Sequence, residues 1–289
     1  MVGRVGVWVT MNHFAALKRR WDTAGGRHTA FYLSAAVIFL ASVAGTVYFS
    51  NSMPESVVMS CGPLISPAAS QMTVNSAESA LLFLTMWGVM MVAMMLPSLM
   101  PMLIDYRRRS GVLPVARLDQ LTCWVSLGYF AVWIVVGVLV YFGTLLADVA
   151  TRLEWVRRCM PITTGLIVTA AGFIQVSGYK MNQLRRCRVR SYRAVPFAPW
   201  GATEHGIGLG LACFLSCFNL MAVLLAAGLM NLKAMAALTA AVGIERIRSI
   251  PVFAARLTGA LIIAIGMLMI VHASMHWPIL RLPVPPLAR

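Results

Sequence analysis

Cys213 and Cys217 stand four residues apart in an uncharged apolar run, and Met221 continues the same step. A second run, far away in the chain, repeats it in thioethers: Met86, Met90 and Met94. A four-residue step returns to the same face of a helix, so each set forms a stripe of sulfur. Soft thiolate and thioether ligands select Cu(I), and zinc ranks second because zinc sites mostly recruit His or four Cys. The candidate metal ligands are therefore Cys213, Cys217, Met221, Met90 and Met94. A plainer use competes for the same residues, since Met fills irregular gaps in apolar cores and free Cys packs as a small hydrophobe. Spacing alone does not choose between them.

The elements that must carry these stripes are set by composition. Of the 289 residues 60% are hydrophobic and only 11% charged, and the mean hydropathy is +0.79. A soluble domain carries about 25% charged residues, so this surface requires lipid. A helix needs about 20 apolar residues to cross a bilayer core, and stretches of that kind fall at 30–49, 79–99, 120–146, 161–179, 205–228, 232–247 and 252–273. Helices are expected because lipid cannot satisfy open backbone groups. The expected fold is all-α, a polytopic transmembrane bundle of about seven spans; the sixth is short. At about 1.5 Å per residue, Met90 lies roughly 16 Å into the second span, and Cys213 and Cys217 roughly 12 and 18 Å into the fifth. All three fall near the middle of a core about 30 Å thick. If these two spans are neighbours, the sulfurs converge.

The formal net charge of +15 resolves into topology once it is sorted by loop. With a cytoplasmic N-terminus, eighteen of the 24 basic residues fall on the inner side, as the positive-inside rule requires. The chain then divides into a basic cytoplasmic segment 1–29, a transmembrane domain 30–275 and a short tail 276–289. The location expected is a bacterial inner (plasma) membrane, and homo- or hetero-oligomers are both compatible with it. No basic, aromatic-interleaved domain is present for nucleic acid. Cys61 and Cys159 fall on the outer side, where a disulfide is chemically allowed.

Other function classes leave little trace. The middle of each proposed span holds no Asp, Glu, Lys, Arg or His, with Glu245 at the inner end of the sixth, whereas ion-coupled carriers usually keep such residues. A phosphate-binding loop is missing, and no nucleophile, buried base or redox-cofactor motif suggests an enzyme. Gly206 and Gly210 form a small-xxx-small pair that suits close helix packing. The basic stretch after the fourth span, 181–203, reads as an inner loop.

These motifs together resemble a known family. The run from Trp87 to Pro97 (WGVMMVAMMLP) is similar to the signature helix of DUF2182, described as predicted metal-binding integral membrane proteins. Gly210, Cys213, Cys217 and Met221, followed by Gly228, Met230, Asn231, Met235 and the pair Glu245-Arg246, resemble its second signature. Gly172, Gln175, Lys180 and Cys187-Arg188 resemble a third, and the set spans 79–249. Where the family tends to have a first cysteine in the loop after the fourth span, this chain has Gln183, so no metal is assigned to Cys187. The resemblance implies metal handling, copper in some members, and raises Cys213 and Cys217 as ligands. The expected function is a non-catalytic membrane protein that holds Cu(I) for delivery, storage or passage to a membrane or extracytoplasmic metalloprotein. The alternative is a structural or assembly subunit of a membrane enzyme complex.

Overall fold

The computed structural model describes residues 29–51, 77–110, 113–191, 198–228, 231–246 and 251–276. Among them are eight helices and no strands. They are α1 (Thr29–Asn51), α2 (Ala77–Arg109), α3 (Val115–Thr151), α4 (Glu154–Val176), α5 (Gly178–Ser191), α6 (Pro199–Ala227), α7 (Leu232–Glu245) and α8 (Pro251–His276). Six of these, all but α5 and α7, are long and apolar enough to cross a membrane. The protein is thus a polytopic helical bundle. Hydroxyls inside the helices fold back on their own backbone, as Thr122 does onto the carbonyl of Leu118 and Thr169 onto that of Gly165. That local bond is the one always within reach where water is absent.

Two helix pairs make the most extensive contacts, α4 with α8 and α3 with α6. Both are seams of glycine. A Cβ on Gly206 would stand 2.1 Å from the carbonyl oxygen of Val125, and one on Gly210 2.8 Å from that of Tyr129. Both numbers rise together along the two chains, so α3 and α6 run parallel. On the other seam, Gly165 meets Ile270, Gly172 meets Ile263 and Gly266 meets Thr169, so α4 and α8 run antiparallel. Seven-residue spacing of glycines on each partner keeps this contact on one stripe. Small residues allow backbones to touch, and that packing holds helices together where lipid is as apolar as the core.

The basic ends of the helices meet at one end of the bundle. Arg107 of α2 pairs with Asp119 of α3 and lies 4.5 Å over the ring of Phe31 in α1. Towards the other end, the indole N–H of Trp87 donates to the carbonyl of Trp133 at 2.8 Å, above Gly137. Here α2 is antiparallel to α3.

Two expectations need correction. The sixth proposed span is the 14-residue α7, about 21 Å long and short of a core of about 30 Å. Its start is delayed by Gly228, whose φ of 99° turns the chain, and by Asn231, whose side chain accepts from the N–H of Ala234 as an N-cap. Its end is set by Arg246, before Pro251 opens α8. Helix α7 is the short connection between α6 and α8 and packs against both. The stretch read as a loop after 180 is the basic helix α5, packed against α6. Residues 1–28, the segment 52–76 with Cys61, and 277–289 lie outside the described residues. So do the basic N-terminal segment, nearly all of the tail, and the Cys61–Cys159 pairing; Cys159 itself is exposed on α4.

Candidate metal centre

Helix α6 presents its sulfurs to the interior. Cys213 and Cys217 are 0% and 2% exposed, and their Sγ atoms lie 4.0 Å apart. The four-residue step on one face produces this spacing, and the α3 seam supplies what faces it. Because Gly206 and Gly210 let α3 come close, the hydroxyl of Tyr129 donates to Cys213 Sγ at 3.0 Å. Tyr129 is itself wholly buried. Ser216, between the two thiols, donates to the carbonyl of Cys213 at 2.8 Å and lies 3.5 Å from Cys217 Sγ.

A cation closes the site from α7. Arg246, the C-cap residue of that helix, donates from one terminal nitrogen to Cys213 Sγ at 2.8 Å. Its other terminal nitrogen reaches Cys187 Sγ of α5 at 3.4 Å and Met102 Sδ of α2 at 3.8 Å. Cys213 thus receives two donors, Tyr129 and Arg246. That is the arrangement around a sulfur acting as acceptor, the role of a thiolate or a metal-bound sulfur.

Beside the sulfurs lies a polar cluster that connects four helices. Lys180 and Glu245 form an ion pair of 2.8 Å with side chains 2% and 1% exposed. Gln175 donates to Glu245 and accepts from Asn219. Lys180 also donates to the carbonyl of Ser216, the residue between the two cysteines. Every member is buried. A buried ion pair survives only with such additional bonds, because the desolvation cost of two charges is large. Lys180 and Glu245 therefore stand inside the bundle; Glu245 was expected there as a polar member, and Lys180 was not.

The proposed ligands are distributed as follows. Cys213 and Cys217 come together. Met90, Met94 and Met221 are buried at 1%, 2% and 5% in the same core cluster. No hydrogen bond among the described residues links any of the three to either thiol. Helix α2 as a whole packs mainly against α3 and α7, and its sulfur in contact with Arg246 is that of Met102. Cys187, set aside in the sequence, is buried at 3% and shares Arg246 with Cys213. Its signal was its place beside the motif carrying Lys180; the Glu245-Arg246 pair was likewise legible as a motif. Asn231 is an exposed cap and takes no part in the interior.

Among the described residues, no group of three or more His, Cys, Asp or Glu side chains is placed to hold a metal. Two sulfurs are what the geometry offers. At a metal–sulfur bond of about 2.3 Å, thiols this far apart subtend roughly 120° at one ion, which leaves room for one further soft ligand and falls short of a four-ligand zinc site. A family model described as PpoB2, copper chaperone, matches residues 84–269. The chain belongs to the PpoB2 copper chaperone family. The PpoB2 match runs from α2 into α8 and takes in both cysteines, Arg246 and the Lys180–Glu245 pair. No curated protein and no solved structure matches the chain.

Proposed function

We propose that the protein carries Cu(I) inside the helix bundle, bound by Cys213 and Cys217, and passes it to a membrane or extracytoplasmic metalloprotein. The observation that carries this reading is the pair of buried thiols 4.0 Å apart, one of them facing two hydrogen-bond donors. Membership of a copper chaperone family supports copper as the cargo, and the DUF2182 resemblance points the same way. Two soft sulfurs suit a monovalent soft ion better than zinc. The role is non-catalytic: the chain holds and releases an ion. Met90, Met94 and Met221 serve as neutral thioethers along the path by which the ion exchanges, while the cysteines retain it. The setting is a bacterial inner membrane with the basic end of the bundle cytoplasmic, as the charge distribution favours.

The test is elemental analysis of detergent-purified protein from copper- and zinc-supplemented cells, beside Cys213→Ser/Cys217→Ser. Copper near one per chain in wild type, lost in the double variant, is expected. Folded, monodisperse wild type without metal would overturn the reading and favour an assembly subunit whose sulfurs only pack.

A further inference from the structure

The geometry points to Arg246 as the residue that makes this site select a monovalent over a divalent ion, by neutralising the anion that a monovalent ion forms with two thiolates. The inference rests on Cys213 and Cys217 being the ligands.

Its first support is an imbalance of charge. Arg246 ends α7 with its Nε buried and without a partner. Its terminal nitrogens go to sulfur, and no ion pair among the described residues includes it. The neighbouring charges do not compensate it, because Lys180 and Glu245 cancel one another at 2.8 Å and Arg107 is paired with Asp119. A half-buried cation facing sulfurs therefore lacks a counter-anion among the described residues. The C-terminal end of a helix favours positive charge there, but only as a partial dipole.

The second support is the charge of the loaded site. When a monovalent ion binds, both S–H bonds break and each sulfur donates an electron pair to the ion. Two protons leave to water, and no oxidation state changes. Two thiolates and one monovalent ion carry a net charge of −1, and Arg246 brings the assembly to zero. With a divalent ion the dithiolate is already neutral, and Arg246 remains an uncompensated, half-buried charge beside it, which is costly. A guanidinium suits this task because it is permanently charged and its two terminal nitrogens can bind different groups. In this count Cys187 is not a ligand; it accepts from Arg246.

Competition between Ag(I), a monovalent soft probe, and Cd(II) on the full chain in detergent tests the assignment. Wild type, Arg246→Gln, Arg246→Met, Arg246→Lys, Cys187→Ser and Cys213→Ser/Cys217→Ser would be compared. The Ag(I):Cd(II) binding ratio should fall at least about tenfold in both neutral variants, a difference of about 1.4 kcal/mol. Arg246→Lys and Cys187→Ser should stay near wild type. Arg246→Met keeps an apolar stem in the same space, so it reports if the Gln variant folds poorly. An unchanged ratio in a folded neutral variant, or equal loss of both ions, would overturn the selectivity role. Loss of Ag(I) in Cys187→Ser would overturn the charge count. Wild type that binds neither ion better than the double cysteine variant would instead sink the reading of the site, and this inference with it.

Discussion

The α3–α6 and α4–α8 seams use one device for different ends. Each brings two backbones together through glycine, and each would be blocked by a single methyl group. On α4–α8 the residues facing Gly165, Gly172 and Gly266 are Ile270, Ile263 and Thr169, whose hydroxyl is already bonded to the Gly165 carbonyl. On α3–α6 the close approach continues into Tyr129 and Cys213, so the same closeness sets a hydrogen bond of 3.0 Å onto a thiol. Packing becomes chemistry where the residue one turn beyond the glycine can react. The buried polar cluster lies where the two seams adjoin: Gln175 sits beside Gly259 of one, and Asn219 comes from α6 of the other.

That junction should give the largest response. Lys180→Met leaves Glu245 buried without its cation, a loss of about 3–5 kcal/mol for an interrupted pair. Lys180→Met/Glu245→Leu should recover most of it, since replacing both partners with apolar groups is often neutral. Unfolding of the two variants in mixed micelles measures both. A double variant as unstable as the single would mean the cluster holds the seams together through more than charge balance.

The next effect separates the seams directly. Gly206→Ala drives a methyl group towards the Val125 carbonyl, and Gly266→Ala drives one towards the backbone and hydroxyl of Thr169. Overpacking of this kind costs about 1–3 kcal/mol, and both variants should lose stability to that extent. Only Gly206→Ala should also lower copper retained per folded molecule, because it moves α3 away from Cys213. Equal copper retention in both would break the contrast between the seams. Tyr129→Phe is the milder version. It removes one donor from Cys213 without moving a helix, at about 1 kcal/mol for a single hydrogen bond, and should weaken copper retention several-fold in a chelator competition.

How far the sequence could be read follows from the kind of signal each feature leaves. The long spans announce themselves because lipid demands unbroken apolar length, and the paired thiols because a helix repeats every four residues. The Gly206/Gly210 contact was legible for the same reason. Helix α5 was not: six basic residues from Lys180 to Arg193 read as a solvated loop, although Lys180, Gln183 and Cys187 turn inward from one face of it. Helix α7 reads as a span in hydropathy, and only the Gly228 turn, the Asn231 cap and Arg246 show how short it is. Arg246 itself lay at a span boundary, where a charge normally marks the membrane surface. A one-dimensional pattern cannot say that a boundary residue points back into the bundle; that depends on which helix lies alongside.

The smallest effect concerns the α2 stripe. Met90 and Met94 are as buried as the cysteines, yet they lie on the helix that faces α3 and α7. Met→Leu exchanges nearly conserve volume and usually cost less than about 1.5 kcal/mol, so Met90→Leu/Met94→Leu should fold and hold copper to the same stoichiometry. If these thioethers line the exchange path, removing them should slow copper uptake and release to a chelator by a few-fold while leaving equilibrium occupancy alone. An unchanged rate would return both residues to packing. A fall in occupancy matching the cysteine variants would instead move them into the site, and would require α2 to approach α6 more closely than the seams now allow.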